Sequence, residues 1–175
     1  MRRRLLNALV LVMALAGASA YWARIQATPQ SGFTPTTLAM GRFGNIDVSN
    51  HQLIADPSGR RKHKVWFSLQ KTHGLSDLYV QSNVWEPGGT TGWHTHPGHS
   101  LIIVTAGTVT VYEGDDPSCK PHVYTQGMGF VDEGGDHVHV IRNEDTVEAR
   151  TIAVQLIPAD AKRRQDADAN PACSF

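Results

Sequence analysis

The sequence predicts an all-β domain, a sandwich or a barrel. Three observations carry this. Residues 38–157 break into short runs rich in Val, Ile, Leu, Thr and aromatic side chains. Gly- and Pro-rich turns separate those runs at short intervals. No long stretch of the region has the 3.6-residue periodicity of an amphipathic helix.

The elements follow in chain order. Residues 64–69 form one β run, in which Trp66 and Phe67 are expected to pack the barrel. Residues 77–85 alternate and end on Trp85, another expected packing residue. Residues 100–105 and 108–112 flank Ala106-Gly107, a hairpin signal. A short run at 122–125 precedes runs at 137–141 and 151–157. Pro87-Gly88-Gly89, Pro97-Gly98, Gly127-Met128-Gly129 and Gly134-Gly135 supply the turns. Pro158 stops the last strand, and the polar, Ala-rich residues 159–169 are expected as one short helix before Cys173.

The chain's 175 residues suffice for one domain with a real core. Its formal charge of zero gives no broad electrostatic footprint for nucleic acid. Charge is nevertheless uneven. Arg2, Arg3 and Arg4 precede an apolar run over 5–20 that closes on Ala18-Ser19-Ala20, the build of a secretory signal peptide. Cleavage after Ala20 leaves 13 basic residues, instead of 16, against 16 acidic ones, a net charge of −3. The rival is an uncleaved anchor with Tyr21 and Trp22 at the interface, although the run is short for a span of about 20 residues. Residues 21–37, rich in Thr, Pro, Gln and Ser, are expected to form a linker or arm. The barrel is placed at 38–157 and a tail at 158–175.

An exported chain with two cysteines suggests one disulfide, Cys119 to Cys173, tethering the tail to a loop. Neither cysteine has a neighbouring His that would make it a nucleophile.

The chemistry concentrates in histidines. His94-Thr95-His96 and His137-Val138-His139 each place two imidazoles at i and i+2, on one face of an extended strand, beside Gly-rich turns. Two rings from one strand and His139 from a distant one can hold a metal ion from three sides. Neutral imidazoles suit Zn, Fe, Mn, Ni or Cu and leave open positions for water or substrate. A ligating His donates its second N–H to an acceptor. Gln81, Asn83 and Gln155 on neighbouring runs are candidates for that task if they face inward. His99 is a candidate fourth ligand or rim residue. His137 is a candidate for a rim, general-base or supporting role. Asp132 and Glu133 are expected in a solvated acidic loop, whereas Asp136 is the candidate carboxylate that orients a ligand His. Trp93 points away from the histidines and is expected in the core. Alone, H-x-H pairs are a weak signal, and exposed His pairs are common.

The pattern resembles the cupin family. Gly88, His94, His96 and Gly107 fit its first motif, G(X)5HXH(X)3,4E(X)6G. Gly129, His139 and Asn143 fit the second, G(X)5PXG(X)2H(X)3N. The resemblance implies a jelly-roll barrel and a divalent transition metal on His94, His96 and His139. It departs from the pattern at Ser100, which occupies the Glu position, so the chain resembles a three-His variant. The second motif's Pro position falls on Gly134 or Gly135, and Asp136 takes its Gly position.

The expectation is an exported metal-binding barrel that acts on a small organic molecule. If it is an enzyme, the resemblance points to a metal-dependent dioxygenase or isomerase. The alternative is a module that captures a sugar or signal compound without turnover, because neither a Ser-His-Asp order nor a spaced carboxylate pair is evident. A homodimer is implied by the resemblance only. The pocket mouth is expected to be lined by His99, His137 and polar groups of residues 77–85.

Overall fold

Twelve strands and no helix make up residues 28–54 and 64–175, the part of the chain that the computed structural model describes. The signal segment, its anchor alternative and residues 21–27 of the expected arm lie outside those residues. In order the strands are β1 (Ser31–Phe43), β2 (Asp47–Ile54), β3 (Lys64–Lys71), β4 (Ser76–Thr90), β5 (His94–Thr95), β6 (Ser100–Ala106), β7 (Thr108–Glu113), β8 (His122–Thr125), β9 (Gly129–Asp132), β10 (His139–Arg142), β11 (Ala149–Pro158) and β12 (Gln165–Asp166). The first strand opens at Ser31, inside the stretch expected as an arm.

Ten of the strands form two facing layers. One carries β1, β4, β11, β6 and β9, all antiparallel neighbours. The other carries β12, β5, β10, β7 and β8. They join where Arg142 of β10 pairs with Thr90 of β4. This is the jelly-roll barrel that the resemblance implies, and of the two all-β forms open to the sequence it is the barrel. Alternation decides which side chains face inward. On β6, Ser100, Ile102 and Val104 are buried while Leu101 and Ile103 stand outside, each 54% exposed. Trp85, Ile102, Val104, Val109, Val111, Ile141, Ala149 and Ala153 meet between the layers as the core. Burying a large apolar side chain of this kind stabilises by roughly 1.5–3 kcal/mol.

Three expectations are corrected. Ala106-Gly107 is not a hairpin turn, because β6 pairs with β11 and β9 while β7 pairs with β10 and β8. The chain instead crosses there from one layer to the other, so Ile102 and Val109 enter the core from opposite walls. Gly107, at φ +67°, makes the corner; a Cβ on it would lie 2.6 Å from the Glu148 carbonyl oxygen. Trp66 and Phe67 do not pack the barrel. Strands β2 and β3 pair only with each other, and the two aromatic rings are 50% and 61% exposed. Trp85 and Trp93 are buried as expected.

The third correction concerns the tail. Residues 159–169 form no helix. They run extended, and β12 pairs with β5, Gln165 opposite Thr95 and Asp166 opposite His94. Helix propensity from the alanines yields to backbone pairing with an open sheet edge. An ion-pair cluster sets the path: Arg42 grips the buried Asp77 through two bonds of 2.7 and 2.9 Å, and the Asp160 amide donates to the same carboxylate. Further on, Cys173 bonds to Cys119, with Cα atoms 5.3 Å apart. Phe175 then lies against Tyr112 and under the Arg142 guanidinium, covering the outer side of β7 and β10.

On the chain-entropy account, closing a loop across 54 residues stabilises the fold by about 4 kcal/mol. Cys173→Ala is therefore expected to lower Tm by roughly 10 °C. A thermal melt of the variant that matches the wild-type protein would remove the tether from the stability account.

Candidate functional site

The barrel brings His94, His96 and His139 together. Their ring nitrogens offer three atoms all within 4.8 Å of one another. Ring centroids lie 4.7 Å apart for His94 and His96, 4.4 Å for His94 and His139, and 5.5 Å for His96 and His139. Local structure accounts for the convergence. His94 and His139 are direct partners across the β5–β10 ladder, so their side chains leave the sheet on one face. His96 follows two residues on and turns to the same side.

Two of the three rings are oriented by backbone carbonyls. His94 Nδ1 lies 2.8 Å from the Gly92 oxygen, and His96 Nδ1 lies 2.6 Å from the Arg163 oxygen. A carbonyl can only accept, so each Nδ1 carries the proton and each Nε2 keeps its lone pair for the cluster. His139 is 2% exposed, and neither of its ring nitrogens has a hydrogen-bond partner. A buried imidazole with both nitrogens unmet is a costly arrangement unless something binds it.

A carboxylate stands beside the rings, and it is Asp132 rather than Asp136. Asp132 is buried; its Oδ2 is 3.3 Å from His96 Nε2 and its Oδ1 is 3.6 Å from His139 Nδ1. Ser100 Oγ and the Gly134 amide donate to it. Asp136 is exposed, beside Asp115 and Asp168. The signal for Asp132 was positional. It sits opposite Ser100 in the β6–β9 ladder, so an acid from the neighbouring strand reaches the region where the first motif's Glu is missing. That pairing is invisible in a linear reading. The same corner explains the altered second motif: Gly134 passes so close to Gly98 that a Cβ would meet the Gly98 carbonyl oxygen at 2.3 Å. Asn143 is structural, its amide donating to the carbonyls of Trp85, Glu86 and Val147.

The remaining candidates divide. Gln81, Asn83 and Gln155 do face inward and line a cavity of about 130 Å3 next to His94 and His96. They do not orient the histidine rings; two backbone carbonyls hold His94 and His96. Ser100 is also on its wall. His99 is elsewhere, in a groove with Leu69, Leu75, Leu101 and Leu156. His137 pairs at 3.3 Å with Glu113 on the far side of His139. Of the expected lining of the mouth, Gln81 and Asn83 of residues 77–85 are in place, whereas Gln155, Arg163 and Arg164 stand where His99 and His137 were expected. The two arginines, on the tail, escaped the sequence reading because that segment was expected to be a remote helix.

Electrostatics keep His94 and His139 neutral. Burial, reinforced by repulsion from His139, holds His94 well below the ordinary imidazole range. Burial pushes His139 down to about 4, although the Asp132 charge pulls the other way. Both are competent as ligands at neutral pH.

Residues 84–155 match the family model of the cupin domain. That segment is a cupin domain, and it carries His94, His96 and His139. No curated protein matches it. Among solved structures it is similar to an uncharacterized conserved protein with a double-stranded beta-helix domain from Klebsiella pneumoniae subsp. pneumoniae MGH 78578, at 20% identity and TM-score 0.44, over 52% of this chain and 75% of that one. It is similar to an oxalate oxidase at 22% identity and TM-score 0.40, over 47% of this chain and 46% of that one, so it spans less than half of that enzyme. A third is the Cupin_2 domain of an XRE family transcriptional regulator from Enterobacter cloacae, at 11% identity and TM-score 0.42, over 71% of this chain and 96% of that domain.

The buried neutral imidazoles have a consequence for the metal-free protein. The unfolded chain protonates His94 and His139 below their ordinary value near 6.5, whereas the folded chain resists until about pH 4 at His139. Stability is therefore expected to fall as pH drops from 6.5 towards 4. Urea midpoints measured across that range check it, with His139→Gln expected to flatten the slope.

Proposed function

We propose that this chain holds one divalent transition metal ion through His94, His96 and His139 and works as an enzyme on a small organic molecule in the adjoining cavity. The observation that carries this is His139, buried with neither ring nitrogen hydrogen-bonded and grouped with two imidazoles whose Nδ1 atoms are engaged by backbone carbonyls, which leaves Nε2 unprotonated on each. The donor set fits a borderline cation such as Zn, Fe, Mn, Ni or Cu. When bound, such an ion supplies Lewis-acid or redox chemistry at the positions that three imidazoles leave open.

The chain's own residues do the rest. The Gly92 and Arg163 carbonyls fix two tautomers and aim two rings. Asp132 puts a negative charge against His96 and His139, which favours a cation there and makes the carboxylate an available fourth ligand. Ser100 and the Gly134 amide hold that carboxylate in place. Gln81, Asn83 and Gln155 present polar groups to whatever occupies the cavity, and the barrel walls limit water.

Metal analysis of protein purified without a His tag tests the assignment. One equivalent is expected in the wild type and essentially none in His94→Ala or His139→Ala. Asp132→Asn should weaken binding by about 10- to 100-fold, the usual scale for supporting groups around a metal. Metal content that survives both His substitutions removes the site from consideration.

We further propose that the protein is exported. The Cys119–Cys173 bridge supports this, since such bonds persist in oxidising compartments. Among the described residues no helix is long and apolar enough to cross a membrane. The protein recovered from its native compartment is expected to begin at Tyr21 by N-terminal sequencing. A chain found intact from Met1 and membrane-bound would favour the anchor.

A further inference from the structure

We infer that Arg163 anchors the carboxylate of a small organic acid in the cavity beside the three histidines, so that the substrate is an acid of few heavy atoms. This rests on the metal assignment for where the reacting end of the molecule sits, and on Arg163 for where its charged end is held.

Arg163 lies beyond the segment that matches the cupin domain, on the tail that runs back over the barrel. Its guanidinium is on the cavity wall, with Nε donating to Gln155 Oε1 at 3.0 Å, Nη2 to Gln81 Oε1 at 2.6 Å and Nη1 to Thr37 Oγ1 at 3.1 Å. Every acceptor is neutral. The other arginines of the described residues all pair with acids: Arg42 with Asp77 and Asp160, Arg142 with Glu144, Arg150 with Glu148 and Arg164 with Asp166. Arg163 alone among them has none. A guanidinium drawn partly out of water regains little from neutral amides and most from an anion.

The group is also prepared geometrically. Its carbon stands 4.1 Å from the centre of the Tyr79 ring, which sets the position of the guanidinium. Three of its five N–H groups are used, and two remain for a carboxylate. A separate feature points to the same class of ligand. Trp85 Nε1 is a buried donor without an acceptor, and Trp85 lines the same cavity. Gln81 and Gln155 already spend their carbonyl oxygens on Arg163. Spare donors therefore gather at the Arg163 and Trp85 end, which suits an oxygen-rich group there, while the Asp132 carboxylate lines the same cavity at the histidine end.

Size narrows the class. A cavity of about 130 Å3 is a little smaller than the engineered cavity of about 150 Å3 that accepts benzene. It takes roughly six heavy atoms, enough for an acid of two to four carbons and too little for a sugar or a peptide. Arg163 also links the two ends of the site. Its carbonyl accepts from His96 while its side chain faces the cavity, so one residue orients a metal ligand and the proposed acid together.

A purely structural Arg163 that only pins the tail would affect stability but not the choice between an acid and its amide. The test uses the full disulfide-bonded chain, metal-free and Co(II)-loaded, with cobalt content measured first. Pyruvate and its neutral analogue pyruvamide are titrated by calorimetry into the wild type, Arg163→Gln, Arg163→Lys and the control Arg150→Gln. The wild type and the control should prefer pyruvate by about tenfold or more, the scale of a charge-assisted pair. Arg163→Gln should abolish the preference and Arg163→Lys restore part of it. If Arg163→Gln does not fold, the wild-type preference and its reduction in Arg163→Lys decide. Equal affinity for the two probes, no binding of either, or a preference that survives Arg163→Gln overturns the anchor. Full cobalt occupancy with any of those results leaves the metal site standing. An Arg163-dependent preference in protein that takes up no cobalt leaves the anchor and removes the metal.

Discussion

Three imidazoles pressed together in a water-poor interior are the constraint around which this molecule is organised. Burial keeps His94 and His139 uncharged, and neither ring nitrogen of His139 has a hydrogen-bond partner. An arrangement of that kind costs stability in the absence of a guest. It persists because β5 and β10 are locked as neighbours, with His94 opposite His139, and because Trp93, just ahead of β5, and Val140 of β10 pack with Tyr112.

The tail is the second half of the frame around the histidines. It is anchored at one end by the Arg42–Asp77–Asp160 cluster and at the other by the disulfide and Phe175. Between these fixed points it adds a strand beside β5 and delivers the Arg163 carbonyl to His96. A segment beyond the matched domain thus orients a histidine of the domain's first motif. Exposed ends of a chain usually tolerate change; this one is tied to the site by its backbone.

Much of the site was legible because strand alternation is a strict rule. Spacing alone brings out His94, His96 and His139, whereas for Gln81, Asn83 and Gln155 the sequence leaves the inward register open and the structure supplies it. Asp132 was misjudged for an equally physical reason. In the chain it is one of three acids in a glycine-rich loop, and nothing local separates it from Glu133 or Asp136. Only its position opposite Ser100 withdraws it from solvent. Trp66 and Phe67 misled in the opposite direction. Their composition is that of a packed strand, but their strand pairs with β2 alone and stays outside the barrel.

By itself the chain of residues determined the β architecture, the alternation along each strand and the pair of cysteines able to meet, since these follow from periodicity, turn chemistry and compartment. Tertiary structure alone decided which strands become neighbours: that Gly107 turns a corner between layers, that residues 159–169 extend along β5, that Asp132 faces the histidines and that Arg163 is left without an acid. Ladder pairing and closure join residues far apart in sequence, and no local preference encodes that choice.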